Sequence, residues 1–142
     1  SFVLPQAGKL SGSYNTVKVK GFNAYVGTGS TLKIISVLAH NDPDFVPNAS
    51  ISLGGTITQI EILNDNFVGV VAGNTLKIVD VSDINILKLK ATLPLPASTS
   101  VLQFSQEENV LQVLTNNLGL LTIEMTVTSE ETSPGEISRT VT

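Results

Sequence analysis

The chain has 142 residues, 42% of them hydrophobic, and no cysteine. It is long enough to bury a core without disulfides, and thiolate metal sites are excluded. Twelve acidic against eight basic residues give a formal charge of −4, with the lysines scattered and a single arginine, Arg139, so the concentrated basic face that nucleic acid requires is missing.

Charged residues make up only 14% of the chain, well below the usual quarter, and Ser, Thr and Asn carry much of the polarity. No apolar run reaches the roughly 18 residues of a membrane span, and the opening "SFVLPQAGKL" has no signal-peptide pattern, so membrane insertion is not expected. The chain starts at Ser1 without a methionine, which reads as an excised or processed piece. Its compartment is left open.

Taken in order, the first unit offers strands at "TVKVKGF" (16–22), "NAYVGTG" (23–29), "STLKIISV" (30–37) and "FVPNASISL" (45–53), with the loop "HNDPDFVPN" (40–48) before the last. The opening "FVLPQAGKL" (2–10) has the character of an outer strand from a preceding unit. In the second unit "ITQIEIL" (57–63) alternates, "NDN" (64–66) is a turn, and "FVGVVAG" (67–73) is a nearly continuous β-branched run, as in a strand buried on both faces. "TLKIVDV" (75–81) and "ILKLKATL" (86–93) follow, the latter with Lys88, Lys90 and Thr92 on one wet face. The third unit has "SVLQFSQ" (100–106), "NVLQVLTN" (109–116), "LGLLTIEM" (118–125) and "EISRTVT" (136–142), with a polar, mobile loop at 126–135. No stretch carries a capped helical stripe.

These units repeat. Thr31-Leu32-Lys33-Ile34-Ile35-Ser36-Val37 matches Thr75-Leu76-Lys77-Ile78-Val79-Asp80-Val81 at an offset of 44, and the same step lands on Gly119 to Met125. Gly29 falls on Gly73 and then on Asn117, so a tight turn with positive φ is expected at each of the three. The expected organisation is a single all-β repeat domain over 1–142, with four-stranded units at roughly 1–53, 54–96 and 97–142.

Units of this length, with "AYVGTGSTLKIISV" and "VGVVAGNTLKIVDVSD" at their centres, resemble β-propeller blades of the LVIVD type or degenerate WD-type repeats. The resemblance is best over 66–93, good over 16–53 and weakest over 100–142, and the chain has no Trp to form the WD dipeptide. It implies a partial propeller, or a ring completed by another chain, because closed propellers have about four to eight blades. A β-trefoil, which also has three four-stranded repeats, is the alternative.

Candidate chemistry is sparse. His40 stands beside Asn41, Asp42 and Asp44, yet one histidine among turn formers reads as a solvated loop. Asp80, Asp83 and Asn85 do not follow the spacing of a calcium loop, and Ser36 replaces Asp80 in the first unit, so strand-end hydrogen bonding is the expected use of these acids. Glu107, Glu108, Glu130 and Glu131 are adjacent acids on turns. Lys9 in "AGKLS" lacks the rest of a phosphate loop, and Asn48-Ala49-Ser50 is a sequon whose use depends on compartment. No catalytic, cofactor or metal residue is assigned, and the expected role is a non-catalytic protein-interaction or scaffold module. Its partners would be other proteins or further copies of the chain, docked through exposed strand edges. A secreted or cell-surface binding module, either a carbohydrate-binding trefoil or an envelope protein, is the alternative. Phe2, Phe22, Tyr14, Tyr25, Phe45, Phe67 and Phe104 are the aromatic candidates for core or contact.

Overall fold

Each tight turn folds the chain back on itself, so consecutive strands pair as antiparallel neighbours. In the computed structural model, residues 12–36, 47–126 and 136–141 are described. The segment 2–10, the His40 loop and the 126–135 loop therefore lie outside the described residues, apart from 47–48 and Thr126. The first sheet is β1 (Thr16–Lys20), β2 (Asn23–Thr28), β3 (Thr31–Ser36) and β4 (Ala49–Ser52), hydrogen-bonded in that order. The second is β5 (Ile57–Ile62), β6 (Phe67–Ala72), β7 (Thr75–Asp83) and β8 (Ile86–Pro94); the third is β9 (Val101–Glu107), β10 (Val110–Thr115), β11 (Leu120–Thr126) and β12 (Glu136–Val141).

The structure is all-β, with three open antiparallel sheets and no helix among the described residues. A trefoil closes strands into a barrel, whereas here every described strand pairs only within its own open sheet. That alternative is set aside.

The second sheet lies between the other two. One of its faces, with Ile57, Ile60, Val68, Val70 and Val79, shares a core cluster with Tyr25, Leu32 and Ile34 of the first sheet. The opposite face, with Val71, Leu76, Ile78, Ala91 and Leu93, shares a second cluster with Val101, Phe104, Leu111, Val113, Leu121 and Ile123 of the third. This explains the uninterrupted apolar run of β6, since both faces of that strand are buried. Each fully buried Leu, Ile or Val contributes about 1.5–3 kcal/mol.

Register gives the packing in detail. Tyr25 pairs with Ile34 and Gly27 with Leu32, Gly69 with Ile78 and Val71 with Leu76, and Gln112 with Thr122 and Leu114 with Leu120. These three quartets occupy the same places in their sheets, and the first two are the floors on which the next sheet rests. Size is balanced across each joint. Tyr25 stands in the floor beneath the sheet that carries Ile60, whereas Gly69 leaves room for Phe104, whose ring atom Cε2 lies 2.6 Å from where a Cβ on Gly69 would be. Ile57 fits against Gly27 in the same manner, 2.7 Å from the corresponding point.

Gly29 and Gly73 turn their hairpins with φ of 56° and 60°. In the third hairpin the positive φ of 75° belongs to Gly119, not to Asn117 as expected. The reason is one additional residue: Asn116, Asn117 and Leu118 stand between the bonded Thr115 and Gly119, where two residues separate Ala72 from Thr75. The longer turn is held by the Thr115 hydroxyl, which donates to Gly119 O at 2.8 Å and accepts from Leu118 N at 2.9 Å. Glu108, at φ 56°, is the non-glycine residue with positive φ among those described.

Two stability measurements test this account. Gly69→Ala should destabilise the fold by about 1–3 kcal/mol in urea unfolding through overpacking, and adding Phe104→Leu should cost less than its effect in the wild type, because the two sites share one space. Glu108→Gly should stabilise by about 0.5–1 kcal/mol by removing left-handed strain from a side-chain-bearing residue.

Candidate interaction face

The residues considered for chemistry do not converge. Asp80 Oδ1 accepts bonds from Ser82 N at 2.9 Å and Ser82 Oγ at 2.7 Å, and Asp83 Oδ1 accepts from Asn85 N at 2.9 Å, so both acids close the chain at the end of β7. Partial burial raises the Asp80 pKa, but the Ser82 bonds together with Lys90 and Lys88 outweigh it and leave the carboxyl below its ordinary range. Among the described residues no group of three or more His, Cys, Asp or Glu is placed to hold a metal ion. Asn48 of the sequon accepts from Ser36 N through its side-chain oxygen at 2.9 Å. His40, Asp42, Asp44, Glu130 and Glu131 lie outside the described residues.

The aromatic candidates divide. Tyr25 and Phe104 are core, and burial raises the Tyr25 pKa against the smaller lowering effect of Lys20. Phe67 packs against the second cluster, whereas Phe22 is exposed in the β1 to β2 turn. Tyr14 has Lys33 Nζ over its ring at 6.0 Å, and Phe2 and Phe45 lie outside the described residues.

What the structure does assemble is a repeated joint between sheets. Asn15 Nδ2 donates to Ile57 O at 3.1 Å, and Gln59 Nε2 donates to Val101 O. Donor and acceptor both advance by 44 residues, so each sheet grips the first strand of the next through a side-chain amide. A carbonyl at a strand start is left partly unpaired by the ladder, and the amide satisfies it. Lys18 with Glu61 at 3.7 Å, and Lys20 with Asp65, add ion pairs across the first joint. The exposed Asp65 is lowered in pKa first by its hydrogen bond to Lys20 and then by that lysine's charge.

The third sheet carries the same apparatus on its outer face. Gln103 pairs with Leu114 beside a bulge after Val101, as Gln59 pairs with Val71 beside a bulge after Ile57. The floor of Gln112, Leu114, Leu120 and Thr122 lies open, with Leu114 41% and Leu120 39% exposed. Leu32 and Leu76, the counterparts of Leu120, are fully buried. Gln103, Ser105 and Gln112 line a shallow groove with the two leucines, and Glu107, Glu108 and Glu124 border its continuation. Thr122 Oγ1 donates to Gln112 Oε1 at 3.0 Å across the floor. Sequence reasoning missed this face. The signal was present in Asn15, Gln59 and Gln103, which recur at steps of 44.

No family model matches the chain, and no curated protein does. Among solved structures the chain is similar to PorZ, a bacterial surface component of the type-IX secretion system of Porphyromonas gingivalis, with a TM-score of 0.52 and 16% identity. The match covers 88% of this chain and 16% of that one, so the present chain spans about one sixth of the neighbour's length. At that identity the likeness concerns the all-β fold.

The acid limb of stability follows from the lowered carboxyl of Asp80. A carboxyl with a depressed folded pKa contributes stability above its unfolded value of 3.8, and that contribution is lost as pH falls through the folded value. Asp80→Asn should therefore flatten the loss of stability below about pH 4. Denaturant titrations of both proteins across that range are the check.

Proposed function

We propose that the chain is a non-catalytic interaction or scaffold module of β-propeller type, working as a subunit or portion of a larger assembly. The observation that carries this reading is the open joint on the third sheet, where Gln103, Leu114 and Leu120 repeat the apparatus that joins the first two sheets to their neighbours. Three successive sheets joined face to face through two joints by one recurring contact are what blades would require. The interaction role rests on the site rather than on the fold, since the same architecture carries many functions. The groove supports docking more than catalysis, because it offers amides, a serine hydroxyl and apolar side chains, with glutamates at its margin. Such a mixed apolar and hydrogen-bonding surface is the ordinary material of a protein interface.

A photo-crosslinking residue placed at Leu114 in the source cells should give a discrete protein adduct, whereas the same residue at Ile86, which is also exposed, should not. Equal labelling at both sites, or none at Leu114, would count against a docking role for this face.

A further inference from the structure

The two links between sheets are built differently. At the end of the stack where β6 turns into β7, four residues (53–56) join β4 to β5, and six (95–100) join β8 to β9. The shorter link is fastened by backbone bonds. Leu53 N donates to Ser30 O and Ile57 N to Gly29 O, both at 2.8 Å, and Thr56 O accepts from Gly73 N at 2.9 Å. A Cβ on Gly55 would stand 2.9 Å from Ala72 C, Ala72 O and Gly73 N. Link and turn are therefore in backbone contact, with no space for a side chain between them.

The longer link meets a longer turn. Thr99 N bonds back to Pro96 O at 2.9 Å, so the link carries a turn of its own, and the β10–β11 turn beside it holds one residue more than the β6–β7 turn. Side-chain amides fasten the two. Asn116 Oδ1 accepts from Ser100 N at 2.8 Å, and Asn116 Nδ2 donates to Ser98 O at 3.3 Å. Asn117 Oδ1 accepts from the Thr99 hydroxyl at 2.9 Å, and Asn117 Nδ2 donates to Ser98 O at 3.4 Å and Ser98 Oγ at 3.3 Å. Asn116 N bonds to Ser100 O at 3.1 Å, as Gly73 N bonds to Thr56 O. The added length of the link is thus bonded to the added length of the turn.

We infer that this contact is a latch: residues 95–100 and 115–119 open together as one unit while the strands on either side stay paired, whereas the first link opens only with the whole fold. The inference concerns how the third sheet is held to the second and does not depend on the interaction reading. Three features favour local opening. Water competes directly for side-chain amide bonds, so each adds little net hold. A longer link gains more chain entropy on release. The Thr99 and Thr115 hydroxyls, 3% and 5% exposed as residues, find their partners inside the unit, at Asn117 Oδ1 and Gly119 O, so their bonds are lost together and water replaces them together. Leu95 and Leu118 oppose opening, because both pack in the second core cluster.

Native-state hydrogen exchange of the full chain in low urea tests the latch. The amides of Leu95, Thr99, Ser100, Thr115, Asn116 and Leu118 should report one shared opening with little urea dependence. Those of Leu53, Ile57 and Gly73 should follow the steep urea dependence of global unfolding. Asn117→Ala should accelerate exchange of the whole latch set by one common factor of about five- to thirtyfold, the effect of losing one or two hydrogen bonds. Gly69→Ala should accelerate exchange at Ile57 and Gly73 and leave the latch set unchanged, because the core of the second joint stays closed when the latch opens. Scattered opening equilibria within the latch set, a latch set that follows the global urea dependence, or an Asn117→Ala effect confined to Thr99 would overturn it.

Discussion

The structure depends on one constraint: a four-stranded antiparallel sheet of this size cannot bury its apolar residues by itself. Val68, Val70 and Val79 on one face of the second sheet and Val71, Leu76 and Ile78 on the other are dry because a sheet lies on each side. Two-sided burial is a property of the stack, not of any one sheet. It sets the composition as well, since the low charged fraction of 14% leaves few residues that a buried sheet face would reject. The same constraint gives the end sheets their mixed character. β1 alternates Val17 and Val19 with Lys18 and Lys20, and its lysines reach forward to Glu61 and Asp65 of the second sheet.

Packing at the joints is specified by size more than by hydrophobicity. Gly69 and Phe104 exchange the large and small roles that Tyr25 and Ile60 hold one joint earlier, so each interface fills without either floor being identical. Close packing makes such exchanges obligatory, because an unfilled or overfilled joint costs stability in either case. The amide grip adds direction. Gln59 stands beside a bulge that lets one extra residue into β5 and turns its amide toward the third sheet.

Most of the strand pattern was legible in the sequence, because period-two alternation and glycine turns are local signals and the offset of 44 repeats them. The twelve strands among the described residues fall on the stretches that the alternation marks, with β4 shortened to Ala49–Ser52, and Gly29 and Gly73 turn as their residue type requires. The third turn was misplaced because a single inserted residue is invisible when the third repeat is aligned by apolar pattern alone. The strain at Glu108 was also hidden, since glutamate carries no turn signal. The face of the third sheet was legible only in part. Its amide recurs at the repeat spacing, but whether a Leu such as Leu120 is covered depends on which sheet lies over it, which no local pattern encodes. The acids that drew attention, Asp80 and Asp83, bond to their own chain two residues on, a use that short polar side chains favour at strand ends.

The third floor differs from the first two in a way that bears on its use. Ile34 and Ile78 are replaced there by Thr122, and Tyr25 or Gly69 by Gln112, and these two side chains bond to each other. Their mutual bond uses the Thr122 hydroxyl proton, while the Gln112 amide keeps N–H donors that water can satisfy when the floor is open and that any cover would have to meet with acceptors of its own. The two leucines beside it still gain from burial. Such a floor suits water, or a cover that brings hydrogen-bond acceptors, whereas the apolar floors of the first two joints are buried under the next sheet. The sequence change along the repeat is thus a change from an apolar floor to one with a hydrogen-bonding demand of its own.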